Sequence, residues 1–404
     1  MKCDIRQLNV RLAQAQPSAT YRIMDRVAAR RADGAQIISL CAGEPDFDTP
    51  AHVRQAGIEA IQNGHTRYTQ VAGVRGLREA VAAKFRNENG LDVSWQDTII
   101  CNGGKHVIYN ALAATLNEGD EVIIPAPYWV SYPEMVELCG GTAKILACTS
   151  DDQFKLSPAA LNAAINDNTR WLILNSPSNP TGAVYSKDEL KALAQVLLAR
   201  PRVLVLADDI YEHLLFDGQV FNTLAQVEPK LAPRVLTMNG VSKAYAMTGW
   251  RIGFATGPRW LLEAMEKLQG QQTSGASAIS QQAAIAALTG SQNFILQSRA
   301  AFEKRRDLVV AHLNDTPGLE CMSPSGAFYA FASCAGLLGR TTPAGTLLET
   351  DENVALALLE EANVAVVHGS AFGLAPYLRI AYALDDDSLL KACEAIRQFC
   401  LSLK

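Results

Sequence analysis

The chain has 404 residues, of which 49% are hydrophobic and 19% charged, and its formal net charge is −5. This composition predicts a globular protein with a large core and two or three domains, at one per ~150 residues. The weak acidic charge argues against a nucleic-acid partner, and no apolar run reaches the ~20 residues that cross a membrane.

The N-terminal residues and the cysteines predict a location in a reducing cytoplasm. Residues 1–6 combine acidic and basic side chains and lack the apolar region of a signal peptide. The nine cysteines form no Cys-x-x-Cys pair, so we expect free thiols rather than a disulfide framework. The six histidines lack metal-ligand spacing, and no metal is expected.

The first part of the chain predicts an arm, a helix and a short strand. The run Gln-Pro-Ser-Ala-Thr at 16–20 is a cap-like opening for the helix, and residues 37–41 form a short apolar strand. The run Ala-Gly-Glu-Pro-Asp-Phe-Asp-Thr-Pro at 42–50 has turn chemistry and leads into another helix. Residues 65–70 predict an exposed loop that carries Tyr68.

The central part of the chain alternates apolar strands with helical segments. Helices are predicted at residues 74–89 and 104–117. Strands are predicted at residues 98–101, 121–125, 171–174, 203–207, 235–238 and 252–256. Continuous apolar strands separated by helices predict an α/β fold with a mostly parallel sheet covered on both faces. In such sheets ligands bind beyond the carboxyl ends of the strands.

Beyond about residue 290 the pattern changes to a smaller α+β arrangement. A long helix runs from Phe294 to about His312, and a second helix closes the chain. Short strands are predicted between them, at residues 328–331, 364–367 and 377–382. The sequence predicts an N-terminal arm with part of the small domain at residues 1–45. A large domain is predicted at residues 46–290, and a small C-terminal domain at residues 291–404.

A lysine follows one of the predicted strand ends. Strand 235–238 leads through a glycine-containing turn to Lys243, and Arg251 comes eight residues later. A lysine among Val, Ala, Tyr and Met side chains loses water, which lowers its pKa and makes the amine nucleophilic toward an aldehyde. An ordinary surface lysine is the alternative interpretation.

Other polar groups follow other strand ends. Asp208 and Tyr211 follow one strand, and Trp129 and Asn179 follow two more. Gly103-Gly104-Lys105 begins a helix, whose bare amides can bind an anion at the positive end of the helix dipole. Singly, each has an ordinary alternative: a helix cap for the aspartate, tight turns for the asparagine and glycines, core packing for the tryptophan. The alternatives do not explain why all of them lie at strand ends.

One small molecule, pyridoxal 5′-phosphate, requires all of these groups. Its aldehyde can react with the lysine, and its pyridine nitrogen can pair with the Asp208 carboxylate. Its phenolate oxygen can accept from the tyrosine hydroxyl and the asparagine amide. Its phosphate can bind the backbone amides and the arginine, and its ring can stack on the tryptophan. Arg379 lies between Leu378 and Ile380 in an apolar strand, where a charge needs a partner such as a carboxylate. An exposed edge position is an equally open interpretation of this arginine.

Five motifs carry a resemblance to a known family. They are Ala-Gly-Glu-Pro-Asp-Phe at 42–47, Pro-Tyr-Trp-Val-Ser-Tyr-Pro at 127–133, Asn-Ser-Pro-Ser-Asn-Pro-Thr-Gly at 175–182, Asp-Asp-Ile-Tyr-Glu-His at 208–213 and Ser-Lys-Ala-Tyr-Ala-Met-Thr-Gly-Trp-Arg at 242–251. From about residue 18 onward the chain resembles the class I aminotransferases, and most closely the aspartate aminotransferases of the branch found in rhizobia and Thermus. The resemblance implies a fold-type I homodimer with a seven-stranded sheet and active sites at the subunit interface.

The resemblance also implies a role for each matching residue. Lys243 carries the cofactor as an aldimine and then moves the substrate proton, while Asp208 keeps the pyridine nitrogen protonated. The other implied cofactor contacts are Gly104, Lys105, Trp129, Asn179, Tyr211, Arg251 and, across the subunit interface, Tyr68. The glycine turn itself adds Gly103 to the candidate phosphate contacts. The implied substrate contacts are Arg379 at the α-carboxylate, with Gly43, Trp129 and Asn179 nearby.

Two positions depart from the family pattern. Many members have Glu after the pyridine-binding aspartate, where this chain has Asp209. Many also have a phosphate-binding Ser three residues before the lysine, where this chain has Gly240. Ser242 is the candidate to replace that serine.

The predicted reaction moves an amino group from L-aspartate to 2-oxoglutarate, giving oxaloacetate and L-glutamate. Lys105 is the candidate for the distal carboxylate, with Ser18 and Thr20 as donors, and prephenate is a further candidate acceptor. An aromatic or alanine-type aminotransferase is the alternative enzyme. The non-enzyme alternative is an inactive regulatory member of the fold. Such a protein is expected to have lost the lysine or the aspartate, whereas this chain has both Lys243 and Asp208. A dehydrogenase or serine hydrolase is disfavoured because neither Gly-x-Gly-x-x-Gly nor a fitting Gly-x-Ser-x-Gly occurs.

Overall fold

The computed structural model describes residues 9–14 and 19–404, so residues 16–18 of the predicted cap at 16–20, including the candidate donor Ser18, lie outside the described residues. The helices are α1 Val10–Gln14, α2 Ala19–Ala32, α3 Ala51–Gln62, α4 Arg75–Asn89, α5 Gly104–Ala113, α6 Ser131–Leu138, α7 Pro158–Ala164, α8 Lys187–Leu198, α9 Leu224–Val227, α10 Arg259–Gln272, α11 Ala278–Thr289, α12 Asn293–Asn314, α13 Asp351–Glu361 and α14 Asp386–Ser402. The strands are β1 Ile38–Ser39, β2 Thr98–Cys101, β3 Glu121–Ala126, β4 Thr142–Ala147, β5 Thr169–Asn175, β6 Leu204–Asp208, β7 Val235–Gly240, β8 Gly253–Thr256, β9 Glu320–Cys321, β10 Tyr329–Ser333, β11 Val364–Ala365, β12 Val367–His368 and β13 Tyr377–Ala381.

Seven strands form the main sheet, in the order β2-β8-β7-β6-β5-β3-β4. Neighbouring strands from β7 to β4 pair in parallel, whereas β8 runs antiparallel to both β2 and β7. The predicted seven-stranded, mostly parallel sheet is therefore confirmed. The sequence pattern did not reveal that β8 is reversed, because an apolar strand looks the same in either direction.

Helices cover the main sheet on both faces because successive strand residues point to opposite sides. In β5, Leu172 and Leu174 belong to a core that includes residues of α3, α4, α8 and α11. Trp171 and Ile173 belong to the opposite core, with residues of α5, α6 and α10. Both sets are buried, which is why these strands have no polar alternation in the sequence.

Apart from the two cores of the main sheet, a further hydrophobic core is built mostly from the C-terminal part of the chain. Strands β12, β13, β10 and β9 form a four-stranded sheet in that order, and β1 pairs with β11 in parallel. The N-terminal segment joins this unit, since Ile23 and Val27 of α2 share a cluster with Phe331 of β10. This packing agrees with a small domain completed by the N-terminal segment, while the boundaries at residues 45 and 290 stay predictions.

One predicted helix is shorter than expected. The helix predicted at 104–117 ends at Ala113, and beyond it the Asn117 NH donates to the Asp120 carboxylate at 2.8 Å rather than to a helical carbonyl. The long helix predicted from Phe294 to about His312 was predicted closely, since α12 runs from Asn293 to Asn314. Among the described residues, no helix combines the length and apolar character that crossing a membrane requires.

Candidate active site

A cavity of about 620 Å³ lies beyond the carboxyl ends of the parallel strands. It is bordered by Asn175 at the end of β5, by Asp208 at the end of β6 and by Lys243 after β7. Most of the predicted site residues line it, namely Gly43, Gly104, Lys105, Trp129, Asn179, Asp208, Tyr211, Ser242, Lys243, Arg251 and Arg379. Gly103 caps helix α5 just outside it, and Tyr68 is not part of its wall.

Lys243 is half-buried in the turn that follows β7. Its ammonium donates a hydrogen bond to the Gly43 carbonyl and lies 5.8 Å and 5.9 Å from the ring centroids of Tyr211 and Phe328. Burial lowers the pKa of Lys243 to about 8, and the Glu44 carboxylate only partly opposes that change. The surface-lysine interpretation is therefore wrong.

Asp208 is the last residue of β6 and is 3% exposed. Its Oδ2 accepts a hydrogen bond from the Tyr132 hydroxyl at 2.5 Å. Burial raises the pKa of Asp208 to about 6, whereas the Tyr132 hydrogen bond and the charge of Lys243 lower it. Turns rather than a helix follow β6, so the helix-cap interpretation does not apply. Asp209 is buried as well but does not line the cavity.

Arg379 occupies an inner strand, β13, and is only 2% exposed. It donates to neutral oxygens, the Asn179 side-chain oxygen at 3.2 Å and the Cys41 carbonyl at 2.6 Å. Its Nε is buried without a hydrogen-bond partner among the described residues. The edge-strand interpretation is wrong, and the buried guanidinium retains capacity to bind an anion.

Two further cations border the beginning of α5. The Lys105 ammonium lies 4.9 Å from the Trp129 ring centroid, and burial together with the charge of Arg251 lowers the pKa of Lys105. Arg251 donates from Nη1 to the Thr248 carbonyl at 2.9 Å. Gly104 opens α5, so backbone amides and two cations face the same region of the cavity.

Several residues that line the cavity were not assigned a role from the sequence. Tyr132 lies inside the family motif at 127–133 and Glu44 inside the one at 42–47, so the motifs could have indicated both residues as part of the site. Tyr329 lies in an ordinary apolar strand and gave no signal, although its hydroxyl hydrogen-bonds that of Tyr211 at 2.8 Å. Helix α2 adds Thr20, Tyr21 and Met24 to the wall, and of these only the threonine had been considered.

Comparison with known proteins gives full-length matches. The family model for aminotransferase class I and II matches residues 35–396. A probable aspartate/prephenate aminotransferase from Rhizobium leguminosarum bv. phaseoli is 56% identical over 393 residues, covering 97% of this chain and 98% of that protein. The crystal structure of aspartate aminotransferase from Rhizobium meliloti has a TM-score of 0.96 at 49% identity, over 98% of this chain and 100% of that one. Thermus thermophilus aspartate aminotransferase with maleate has a TM-score of 0.91 at 40% identity, with the same coverage. The chain therefore belongs to the class I and II aminotransferases.

Proposed function

We propose that this aminotransferase binds pyridoxal 5′-phosphate and moves the amino group of L-aspartate to 2-oxoglutarate, giving oxaloacetate and L-glutamate. The observation that carries the proposal is the convergence of three groups in one cavity. They are an amine with a lowered pKa at Lys243, a buried carboxylate at Asp208 and a buried, incompletely bonded guanidinium at Arg379.

The chemistry of the residues present fits this cofactor. Asp208 offers a carboxylate for a protonated ring nitrogen, and Tyr211 with Asn179 offers donors for a phenolate oxygen. For the phosphate, the chain offers the amide end of α5, the cations of Lys105 and Arg251, and the hydroxyl of Ser242. A phosphate there would relieve the repulsion between the two cations.

The residues of the chain divide the remaining work. When bound, the cofactor supplies an aldehyde and a ring that withdraws electrons from the substrate. Lys243 would hold the aldehyde, and it can take up and return the substrate Cα proton because its pKa of about 8 leaves part of the amine neutral near pH 7. Asp208 would keep the proton on the ring nitrogen, and Trp129 would pack against the ring.

The substrate class follows from the cations. Arg379 would bind the α-carboxylate, near Asn179 and the backbone at Gly43, because a guanidinium matches a carboxylate with two parallel hydrogen bonds. Lys105, with Thr20 nearby on the cavity wall, would bind the distal carboxylate. The Thermus relative solved with maleate, a dicarboxylate, supports this choice, and the Rhizobium relative named for prephenate supports prephenate as a second acceptor. An aromatic or alanine-type donor is the alternative.

Assembly and location are part of the same proposal. We propose a homodimer in which Tyr68, 97% exposed in the single chain, reaches the cofactor phosphate of the partner subunit. A cytoplasmic location is supported by the eight described cysteines, all of which are unpaired.

The proposal is tested by replacing the amine. Apoprotein is mixed with pyridoxal 5′-phosphate, reduced with borohydride and digested, and the modified peptide is identified by mass spectrometry. We expect the label on Lys243 in wild type, no such label in Lys243→Ala, and loss of aspartate turnover by about 10²-fold or more. Lys391→Ala, which removes an exposed lysine of α14, is the control and should behave as wild type. Undiminished turnover in Lys243→Ala would refute the assignment.

A further inference from the structure

We propose that Tyr132 is a positioning residue that fixes the Asp208 carboxylate and the Trp129 ring relative to each other. The inference rests on the proposed function and extends it to a side chain with no role in the scheme above. Tyr132 lies in the first turn of α6 and is 2% exposed. It contacts two of the groups expected to hold the cofactor ring, one through its hydroxyl and the other through its ring.

The hydroxyl contact constrains the carboxylate. Tyr132 donates to Asp208 Oδ2 at 2.5 Å, a short charge-assisted hydrogen bond between two buried groups. Within the described part of the chain, the other oxygen, Oδ1, accepts only a long contact from the Ile210 NH at 3.4 Å. One oxygen is thereby anchored, and the other keeps its capacity to accept a bond from a protonated ring nitrogen.

The ring contact constrains the stacking face. The rings of Tyr132 and Trp129 meet edge to face, with centroids 5.4 Å apart and planes at 90°. Tyr132 therefore supports both Asp208, which would meet the edge of the cofactor ring, and Trp129, which would pack against the face of that ring. Tyr132→Phe separates these contacts, because it removes the hydroxyl and keeps the aromatic ring.

The phenol acts as a permanent donor. Burial raises the pKa of Tyr132 well above its usual value, so the hydroxyl stays protonated over the working range. Among the described residues, the other charged or titratable groups that face Asp208 are Lys243 from the turn after β7, and Asp209 and Tyr211 from its own segment. Of these only Lys243 is a cation, and it remains in every variant below.

The sign of the pH effect follows. A hydrogen bond donated to the carboxylate favours its charged form, so loss of the hydroxyl raises the pKa of Asp208 above about 6. The carboxylate that pairs with a protonated ring nitrogen is then lost at higher pH than in wild type. In Tyr132→Phe the acid limb of cofactor affinity should move toward neutral pH.

The experiment measures the dissociation constant of pyridoxal 5′-phosphate from apoprotein between about pH 5.5 and 8.5. We expect Tyr132→Phe to bind about tenfold more weakly between about pH 6 and 7, with a smaller difference near pH 8. In the Asp208→Asn background, Tyr132→Phe should add little, because the charge that the hydroxyl stabilises is gone. Tyr185→Phe is the matched control, since this buried tyrosine uses its hydroxyl to accept from the Leu156 NH.

The outcomes separate the two proposals. If wild type binds the cofactor and Asp208→Asn weakens binding, but the acid limb is unchanged in Tyr132→Phe, this inference is overturned and the proposed function stands. Independent penalties in the double variant, or an equal loss in Tyr185→Phe, overturn it as well. If wild type does not bind the cofactor, both proposals fail.

Discussion

Arg379 and Lys105 are both cations on the cavity wall, but they differ in burial. Arg379 is buried in an inner strand, so an uncompensated charge there is costly and a carboxylate partner is strongly favoured. Lys105 keeps much of its surface exposed, although its ammonium is partly desolvated over the Trp129 ring. There it can meet either a phosphate or a substrate carboxylate. The two carboxylates of the proposed substrate therefore meet a fixed cation and an adaptable one.

Lys105→Ala tests which of those anions Lys105 binds. If it reads the distal carboxylate, kcat/KM for aspartate should fall by about 10- to 100-fold, while kcat/KM for phenylalanine changes little. Phenylalanine serves as the internal control because it lacks the second carboxylate. Steady-state assays with both donors and a cofactor titration make the measurement. A uniform loss accompanied by weaker cofactor binding would assign Lys105 to the phosphate alone, and a wild-type preference for phenylalanine or alanine would contradict the aspartate assignment.

A largely buried ion-pair network joins α4 to the segment that follows β6. Lys84 pairs with Glu212 and donates to Asn89 at 2.7 Å, and Asn89 donates to Glu212 at 2.7 Å. Glu88, Glu212 and His213 bring ligand atoms within 4.8 Å of one another, a spacing that the sequence did not reveal. Lys84 already supplies a cation to both glutamates, so this group is explained as an ion-pair network without a metal.

At the scale of elements, strand β8 and helix α5 meet at a backbone crossing that only glycine permits. A Cβ on Gly253 would lie 2.4 Å from the Gly103 carbonyl carbon and 2.4 Å from the Gly104 nitrogen. These atoms belong to backbone and cannot rotate away. The reversed strand β8 therefore packs its backbone directly against the N-terminal end of α5, where the phosphate site is proposed.

Gly253→Ala should separate the strand from the helix end. We expect the free energy of unfolding to fall by about 1–3 kcal/mol, as for other overpacked sites. Affinity for pyridoxal 5′-phosphate should fall more than affinity for pyridoxal, which lacks the phosphate. Urea denaturation and ligand titration give the two quantities. Gly76→Ala in α4 is the control, because its Cβ meets Ile285 at an ordinary 3.5 Å and alanine favours a helix. Equal losses for both ligands would contradict the proposed phosphate site.

At the scale of the whole molecule, sequence patterns fail to predict contacts between residues that are far apart along the chain. Lys243, Asp208 and Asn179 were predictable because parallel strands bring their carboxyl ends to one edge. The bond from Lys243 to the Gly43 carbonyl spans 200 positions, and the bond from Arg379 to the Cys41 carbonyl spans 338. Periodicity carries no information about such contacts, and the family resemblance supplied the role of Arg379 that local pattern left open.

Several large apolar side chains are exposed in the single chain, as the proposed dimer would require of an interface. Tyr68 is 97% exposed, and other large apolar residues with high exposure include Tyr21 at 62%, Ile61 at 56% and Ile58 at 48%. Exposed apolar groups of this size mark interaction surfaces when they are contiguous. In a two-fold dimer the same surface serves both subunits, so each site would combine one subunit's Lys243 with the other's Tyr68.

Mixing two inactive variants tests that arrangement. Tyr68→Ala and Lys243→Ala homodimers each carry two damaged sites, whereas a hybrid dimer carries one intact site and one with both changes. Random exchange of equal amounts makes half of the dimers hybrids, so activity should recover to about a quarter of the wild-type value. The same mixture after chemical cross-linking of each homodimer is the control and should stay inactive. Absence of recovery despite exchange, or an active monomer in sedimentation at the assay concentration, would exclude a shared site, because an arrangement in which Tyr68 serves its own subunit gives no complementation.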